Sequence, residues 1–358
     1  MIPYGKQYID ENDINSVIEA LKSDYLTTGP RVKEFEDKLS EKLGFKYIVA
    51  VSNGTAALHL ASKVLIKKDD RVITTPNSFL STSNAILYQN AKPVFVDIAK
   101  NGLIDLDLVE NELKKGGIEA LYLVSFSGLP FDSDRLRYIK DRYEVKMLLD
   151  NAHYFGKDDG ICDMATYSFH PVKHIITFEG GAIGTNDKRI YEKLLRLRNH
   201  GIYKDDSMHP WEYKMTELGY NYRLSDVASA LGISQLEKVD GFLAKRKEIA
   251  KHYHKNLAKV SPLYPFSDKS SYHLFVVRYP FKDLREKADF FIQMRKKGVF
   301  LQYHYIPINQ QSYYKEAGYY KEFKNMQKYY LEAFSLPIYP SLKEEEQKYV
   351  MECLEELL

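Results

Sequence analysis

Short apolar segments alternate with amphipathic segments through the first half of the chain. Five of the apolar segments are four or five residues long and consist mostly of aliphatic and aromatic residues, at 47–51, 72–75, 93–97, 120–124 and 145–149. The segments between them carry apolar residues at helical spacing, at 55–66, 79–89, 105–114 and 132–142. Strands that are apolar throughout and alternate with helices are typical of a parallel sheet covered on both faces. The pattern therefore predicts an α/β domain with a mostly parallel central sheet.

The pattern changes in the second half of the chain. Two further β-like segments, 165–169 and 181–185, precede the change. They are followed by helical patterns at 187–198 and 223–257, a strand pattern at 272–279, a helix at 284–297, an extended segment at 299–305 and a closing helix at 342–357. We expect a large α/β domain over residues 1–240 and a smaller α+β domain over residues 241–358, joined by the long helix.

Composition narrows the class of protein. The 358 residues include 51 basic and 49 acidic side chains, a formal net charge of +2. A balance this close argues against a protein that coats nucleic acid, which needs a strong basic excess. No apolar run is long enough to span a bilayer, and the first residues, MIPYGKQYIDEN, are too polar for a signal peptide. Cys162 and Cys353 lie far apart in sequence, fit no metal spacing and form no disulfide framework. We therefore expect a cytoplasmic protein without a metal. The charge balance and the lack of a long apolar run predict no nucleic-acid or membrane partner.

The loops after the predicted strands are the places to look for a site, because ligands bind at the carboxyl ends of strands in an open parallel sheet. Residues 52–55, SNGT, follow the first strand and begin a helix. Small residues there leave backbone N–H groups accessible, and the helix dipole favours an anion such as phosphate. An ordinary capped turn between a strand and a helix would have the same sequence.

Asp150 ends another of these strands, in the sequence LLDNAHYFG. A carboxylate at the end of a buried apolar strand needs a partner, since burying a lone charge is costly. The partner could be a helix N-terminus, an arginine, a metal or a cationic group of a ligand.

Lys173 lies between two β-like runs, in ATYSFHPVKHIITFEGGA. Most lysines are solvated surface residues, but this one is surrounded by apolar runs and followed by a Gly-Gly pair that allows close backbone approach. A desolvated lysine has a lowered pKa and can act as an amine nucleophile towards an aldehyde. His170 and His174 have the spacing of a helical zinc site, but Pro171 between them argues against a helix.

One cofactor would use all three features. Pyridoxal 5′-phosphate needs a lysine for its Schiff base, an acid beside its pyridine nitrogen and a cradle for its phosphate. The cradle, Asp150 and Lys173 follow each other in the chain, each at the end of a strand. This order fits a large domain of the aspartate-aminotransferase-like fold, fold type I of the enzymes that use this cofactor.

The sequence resembles the DegT/DnrJ sugar-nucleotide aminotransferases along nearly its whole length. The resemblance rests on a series of motifs in one order, among them SNGTAALHLA, DNAHYFG, YSFHPVKHIITFEGGAIGTND and LGYNYRLSDVASALGISQL. SFHPVK, TFEGGA and ELGYNYRLSD are most similar to the branch of the family that takes part in pseudaminic acid biosynthesis. That branch moves an amino group from L-glutamate to C4 of a UDP-linked 4-keto-6-deoxy-N-acetylhexosamine, and the resemblance implies the same activity here.

The resemblance also implies roles for individual residues. Lys173 would form the Schiff base and later move the proton at the substrate carbon, and Asp150 would pair with the pyridine nitrogen. The other expected cofactor contacts are Gly54, Thr55, Phe79, His153, Ser168 and Asn221. The expected sugar-nucleotide contacts are Tyr4, Tyr25, Leu26, Thr27, His304, Tyr305, Gln310 and Tyr313.

Within the cofactor set, Phe79 would stack on the ring, while Gly54, Thr55 and Ser168 would hold the phosphate. His153 would lie close to the cofactor. Asn221 would reach the phosphate from the second subunit of a homodimer with shared active sites.

Two other classes of function stay open at this point. Some members of the family are dehydratases, in which a histidine replaces the Schiff-base lysine, and a non-catalytic regulator on the same scaffold would be expected to lose the lysine or the aspartate. Lys173 and Asp150 are both present, which favours transamination. Within transamination, another nucleotide-linked 3-keto or 4-keto deoxysugar is the alternative substrate.

Overall fold

A seven-stranded sheet forms the centre of the computed structural model, which describes all 358 residues. Its strands are β1 (Tyr47–Val51), β2 (Arg71–Thr74), β3 (Lys92–Phe95), β4 (Ala120–Val124), β5 (Lys146–Asp150), β6 (Met164–Ser168) and β7 (Gly181–Thr185). The order across the sheet is β1-β7-β6-β5-β4-β2-β3. Only β7 runs antiparallel to its neighbours, and every other pair is parallel. The predicted mostly parallel α/β sheet is confirmed.

Helices cover both faces of this sheet. They are α1 (Glu11–Lys22), α2 (Pro30–Leu43), α3 (Gly54–Leu65), α4 (Leu80–Leu87), α5 (Leu106–Leu113), α6 (Ser133–Tyr143), α7 (Lys188–Arg198) and α8 (Asp226–Asn256). Successive residues of one strand enter different cores. Tyr122 of β4 packs with α3 and α7, while Leu121 and Leu123 pack with α5 and α6. Burial on both sides explains why the strands are apolar throughout rather than alternating.

The C-terminal part adds a small antiparallel sheet. Its strands are β10 (Ser261–Pro262), β11 (Phe275–Arg278) and β12 (Ala333–Leu336), and a two-stranded ribbon of β8 (Ile202–Tyr203) and β9 (Lys214–Met215) precedes it. The remaining helices are α9 (Leu284–Lys296), α10 (Ser312–Glu316), α11 (Lys324–Glu332) and α12 (Glu344–Leu357). The smaller α+β part is therefore confirmed as an architecture. None of the twelve helices is both long and apolar enough to cross a membrane.

The sequence pattern misses several elements. Helices α1 and α2 at the N-terminus were not predicted, nor were α10, α11 and β12 in the C-terminal part. The long helix begins three residues later than expected, at Asp226, because the Ser225 side chain accepts a hydrogen bond from the Ala228 N–H and caps it. The segment 299–305 joins no named strand; it makes only isolated bridges, such as Gln302 with Ser335.

The boundary proposed at residue 240 falls inside α8. The first half of this helix packs on α2 and the central sheet through Ala228 and Val239. The second half packs in the C-terminal core through Ile249 and Tyr253. The division into residues 1–240 and 241–358 stays a prediction, and α8 belongs to both sides of it.

Candidate active site

One cavity of about 990 Å³ opens at the carboxyl ends of the central strands. The turn between β1 and α3, the ends of β5 and β6 and the segment 302–305 all contribute to its walls. Ten of the residues predicted from the sequence line it: Tyr4, Gly54, Thr55, Phe79, Asp150, His153, Ser168, Lys173, His304 and Tyr305. The fold thus brings together residues that are up to 301 positions apart in the chain, Tyr4 and Tyr305.

The turn between β1 and α3 has the form of an anion cradle. Asn53 caps α3 by accepting a hydrogen bond from the Ala56 N–H at 2.8 Å. A Cβ atom on Gly54 would lie 2.9 Å from the Cβ of Ser168, and one on Gly181 would lie 2.6 Å from the Asn53 backbone. Both positions need glycine, because a larger residue would push apart the helix N-terminus and the ends of β6 and β7. The N-terminal end of α3 therefore faces the cavity close to the hydroxyl of Ser168, as a phosphate site requires.

Asp150 is the last residue of β5 and is almost fully buried. Its Oδ2 accepts a hydrogen bond from the Thr82 hydroxyl at 2.6 Å, and its Oδ1 accepts one from the Ala152 N–H at 3.0 Å. Desolvation raises the pKa of the carboxyl group, while the two hydrogen bonds and the nearby charge of Lys173 oppose that rise. Each oxygen keeps a free lone pair, so the group can accept a further hydrogen bond from a cationic ring nitrogen.

Thr82 is a site residue that the sequence analysis missed. It lies on the buried side of α4, where its hydroxyl also bonds the Ser78 hydroxyl at 2.7 Å. The signal was a run of small polar residues, LSTSNA, in a helix whose neighbours are apolar. A polar side chain on a buried helix face needs a partner, and here the partner is the strand-end carboxylate 68 positions away.

Lys173 lies in a tight turn after β6, where its N–H donates to the His170 carbonyl at 2.8 Å. Protein atoms surround its amine on the side away from the cavity, and this desolvation lowers the pKa of Lys173 to about 8. The Asp150 carboxylate acts against that shift, and the buried guanidinium of Arg246 adds to it. A lysine with such a pKa has a substantial fraction of neutral, nucleophilic amine near neutral pH.

The hydrogen bonds of His153 settle the position of its proton. The Ser127 N–H donates to Nδ1 at 3.4 Å, so Nε2 carries the proton and faces the Tyr305 hydroxyl at 3.1 Å. Burial holds the pKa of His153 well below its usual value, so the ring stays neutral. Because the Tyr305 oxygen accepts from the histidine, its own O–H is free to donate into the cavity.

The remaining predicted contacts lie outside the cavity. They are Tyr25, Leu26, Thr27, Asn221, Gln310 and Tyr313. Tyr25, Leu26 and Tyr313 are 56%, 50% and 68% exposed, and Asn221 is exposed as well. The segments 25–27 and 221–226 adjoin each other, since the Asp226 N–H donates to the Leu26 carbonyl at 3.0 Å and Thr27 bridges Ser225. Within one chain these two segments form part of an outer surface.

The two histidines that flank Lys173 face different surroundings. His170 is exposed and lines the cavity, whereas His174 is buried and its Nε2 lies 3.2 Å from the Ser271 carbonyl. The segment between them is a turn rather than a helix. The pair therefore lacks the shared face that a zinc site with this spacing requires.

The residues present fit pyridoxal phosphate. A glycine-dependent cradle lies at a helix N-terminus, a buried carboxylate has free lone pairs, and a lysine with a lowered pKa shares the same cavity. Phe79 is 57% exposed and lines the cavity, where an aromatic ring can cover a flat cofactor. The three chemical requirements of the cofactor are thus met by side chains and backbone of this chain.

Comparison with known proteins extends the picture over the whole chain. The model of the DegT/DnrJ/EryC1/StrS aminotransferase family matches residues 7–355. A Campylobacter jejuni protein named UDP-4-amino-4,6-dideoxy-N-acetyl-beta-L-altrosamine transaminase is 38% identical, over 100% of this chain and 98% of its own length.

Among solved structures, Helicobacter pylori PseC, an aminotransferase of pseudaminic acid biosynthesis, superposes with a TM-score of 0.94. It is 30% identical, and the match covers 99% of this chain and 98% of PseC. A protein of Streptococcus pneumoniae named as a sugar aminotransferase, in its pyridoxal phosphate form, has a TM-score of 0.91 and 26% identity, with 100% of this chain and 99% of that chain covered.

Family, fold and site geometry therefore agree, and the fold-type-I prediction is confirmed by structural neighbours that span the full chain. The chain belongs to the DegT/DnrJ/EryC1/StrS aminotransferase family.

Proposed function

We propose that the chain is a transaminase that moves the amino group of L-glutamate to C4 of a UDP-linked 4-keto-6-deoxy-N-acetylhexosamine. The product would be of the UDP-4-amino-4,6-dideoxy-N-acetyl-β-L-altrosamine type. The observation that carries the proposal is the full-length similarity to the Campylobacter jejuni transaminase, at 38% identity. Lys173 and Asp150 in the cavity supply the two groups without which such a relative would be an inactive scaffold.

Pyridoxal phosphate, when bound, supplies the aldehyde that takes up the amino group and the electron sink that stabilises negative charge at the substrate carbon. Asp150 would hold the ring nitrogen through its free lone pairs, and Phe79 would cover one face of the ring. The N–H groups at the start of α3, with Thr55 and Ser168, would hold the phosphate. These assignments support one position for the cofactor, between Asp150 and the cradle.

Lys173 would act as the base that moves a proton at the substrate carbon. This role requires an amine that is neutral for part of the time, and a pKa of about 8 meets that requirement. Tyr305 would orient the sugar by donating its free O–H, since its oxygen already accepts from His153. Tyr4 and His304, whose ring centroids lie 5.3 Å apart, would form the adjoining wall. Tyr25, Leu26, Thr27, Gln310 and Tyr313 would contact the sugar nucleotide from outside the cavity described here.

A homodimer would complete this site. A cofactor phosphate and a nucleoside diphosphate bring several negative charges, yet the cavity contains one lysine, no arginine and two carboxylates, Asp150 and Glu179. Phosphate recognition usually draws on basic groups, so further donors must come from outside the cavity wall. Asn221 of a second copy is our candidate for the phosphate.

The surface around Asn221 supports a second copy as the partner. Four large apolar side chains on the preceding segment are strongly exposed: Trp211 at 76%, Tyr213 at 59%, Met215 at 64% and Leu218 at 67%. Large apolar side chains that are this exposed are more typical of a protein interface than of a free surface. We place the dimer in the cytoplasm, because both cysteines are free thiols.

The substrate is tested by assay of the purified protein with glutamate against UDP- and dTDP-linked 3-keto and 4-keto deoxysugars. We expect amino-sugar formation, detected by mass spectrometry, with the UDP-linked 4-keto-6-deoxy-N-acetylhexosamine and much slower reaction with the others. Preference for a 3-keto or dTDP-linked sugar would overturn the substrate while leaving transamination in place. A protein that binds pyridoxal phosphate but aminates none of these sugars would favour the alternative function, a non-catalytic regulator on the same scaffold.

A further inference from the structure

Behind Lys173, on the side away from the cavity, lies a buried histidine that the sequence analysis passed over. His273 is 4% exposed, and its Nε2 lies 3.5 Å from the Lys173 Nζ. No other side chain bonds this amine. The contact joins the C-terminal part of the chain to the turn after β6, across 100 positions of sequence.

The surroundings of His273 hold it in place. The Arg246 guanidinium donates to the backbone carbonyl of His273 at 3.3 Å and to that of Ile338 at 2.9 Å. The His273 ring packs between two others, with centroid distances of 4.3 Å to His153 and 5.4 Å to His174. Its Nδ1 has no hydrogen-bond partner. The only polar contact of this ring is therefore the amine of Lys173.

The charge state of the lysine decides the direction of the bond. A protonated lysine can only donate, so Nε2 of the histidine must be the acceptor and Nδ1 must carry the ring proton. This tautomer leaves the buried Nδ1–H of His273 without a partner. The hydrogen bond from the lysine to Nε2 would offset the cost of that unpaired group. We propose that His273 is a positioning residue for Lys173, which accepts one hydrogen bond from the amine and so directs the remaining positions on nitrogen into the cavity.

The proposal rests on the proposed function, since it concerns the amine that the transaminase needs. The role of His273 can nevertheless be tested separately from the transaminase activity, because it predicts a property of the protein without cofactor or sugar. The titratable and charged groups that face the amine are Asp150 from β5, His153 and His174 from the two adjacent turns, Arg246 from α8 and His304. Of these, none bonds it directly.

The test compares His273→Gln with His273→Asn. Both variants are polar, but the Gln amide reaches the place of Nε2 and the shorter Asn amide does not. In the cofactor-free protein, we would measure the rate of Lys173 acetylation against pH by peptide mass spectrometry. We expect His273→Gln to keep the wild-type titration midpoint. In His273→Asn the midpoint should fall, because the ammonium form loses its acceptor.

In the holoenzyme, kcat should fall about tenfold or more in His273→Asn and remain within about threefold of wild type in His273→Gln. His174→Asn is the matched control, because His174 belongs to the same ring cluster but bonds only the Ser271 carbonyl. Equal lysine midpoints in both His273 variants would overturn the proposal, and so would an equal shift in His174→Asn. Failure of the sugar assay alone would refute the substrate and leave this result standing.

Discussion

The two ends of the cavity are built in different ways. At the cofactor end, Asp150, Lys173 and the Gly54 cradle are buried or enclosed, and each is held by bonds or close contacts from the same chain. At the outer end, Tyr25, Leu26 and Asn221 are exposed and do not reach the cavity. In our proposal, one chain therefore supplies the groups around the cofactor ring and the amine, whereas Asn221 would complete the phosphate site, and Tyr25 and Leu26 the sugar-nucleotide site, only through contacts on the outer surface.

The largest loss of activity should follow removal of the amine at the cofactor end. Lys173→Ala should abolish transamination, a loss of about 10³-fold or more, because no other group in the cavity can replace the amine. Lys173→Arg should be no better, since a guanidinium stays protonated. Steady-state kinetics with circular dichroism as the control for folding checks this. Near-normal turnover in Lys173→Ala would refute the role of the lysine.

The next largest effect should come from Asp150. In Asp150→Asn the ring nitrogen loses its anionic partner, and we expect kcat to fall by about 10²-fold while the protein still binds the cofactor and remains yellow. The visible absorbance of the bound cofactor separates loss of chemistry from loss of cofactor. Full activity with a normal spectrum would mean that another residue pairs with the nitrogen.

A mixing experiment tests whether Asn221 acts in the active site of the second copy. Lys173→Ala and Asn221→Asp homodimers should each be nearly inactive, but a mixed dimer would contain one site with both defects and one with neither. Random exchange of equal amounts should therefore restore about one quarter of wild-type activity. Lys173→Ala mixed with Asp150→Asn is the control, because both defects lie at the cofactor end and every mixed site keeps one. No recovery in the first mixture would show that Asn221 acts within its own chain.

A smaller effect should follow from Thr82→Val, which removes the hydroxyl that donates to Asp150 at 2.6 Å. That bond stabilises the ionised carboxylate and lowers its pKa, so its loss should raise the pKa of Asp150 further. The acidic limb of the pH–kcat profile should move to higher pH, with a loss of about tenfold on that limb and little change at high pH. Thr82→Ser keeps the hydroxyl and should have the wild-type pH–kcat profile. A wild-type profile in Thr82→Val would show that the Thr82 hydroxyl does not set the pKa of Asp150.

The smallest effect belongs to the outer end of a single chain. Tyr313→Ala should raise the KM for the sugar nucleotide by about three- to tenfold with kcat nearly unchanged. Tyr313 lies outside the cavity, so a contact from it should affect substrate binding and not the chemical step. Tyr320→Ala is the matched control, because Tyr320 is an exposed tyrosine near Tyr313 in the chain and has no predicted contact with the sugar nucleotide. A change in kcat rather than KM would place Tyr313 closer to the reacting atoms than the structure does.

The strands of the central sheet were predictable from sequence within one or two residues. β1, β4 and β5 are apolar runs between turns, and burial on both faces leaves no alternation to confuse the pattern. Helices α1 and α2 were not predicted, although α1 carries both a capping box at Asp10 and apolar residues at helical spacing, Ile14, Val17, Ile18 and Leu21. Three of these side chains, Ile14, Ile18 and Leu21, stay 40–56% exposed in the folded chain.

The residues of the candidate site also fall into those that the sequence predicts and those that only the fold reveals. Lys173 and Asp150 could be proposed because each stands next to a strand and is the wrong residue for a buried position. Thr82 and His273 could not, because their partners lie 68 and 100 positions away, and only the fold brings them together. The roles of Tyr25, Leu26, Thr27 and Asn221 came from family resemblance, and they stay predictions for a dimer.

Helix α8 also sets how the molecule should lose its structure. Its 31 residues supply Ala228 and Val239 to one core and Ile249 and Tyr253 to another. Neither core can melt without exposing one half of the same continuous helix, so the free energies of unfolding of the two parts are coupled. We expect a single calorimetric transition, and limited proteolysis of the folded protein should release neither part as an intact fragment.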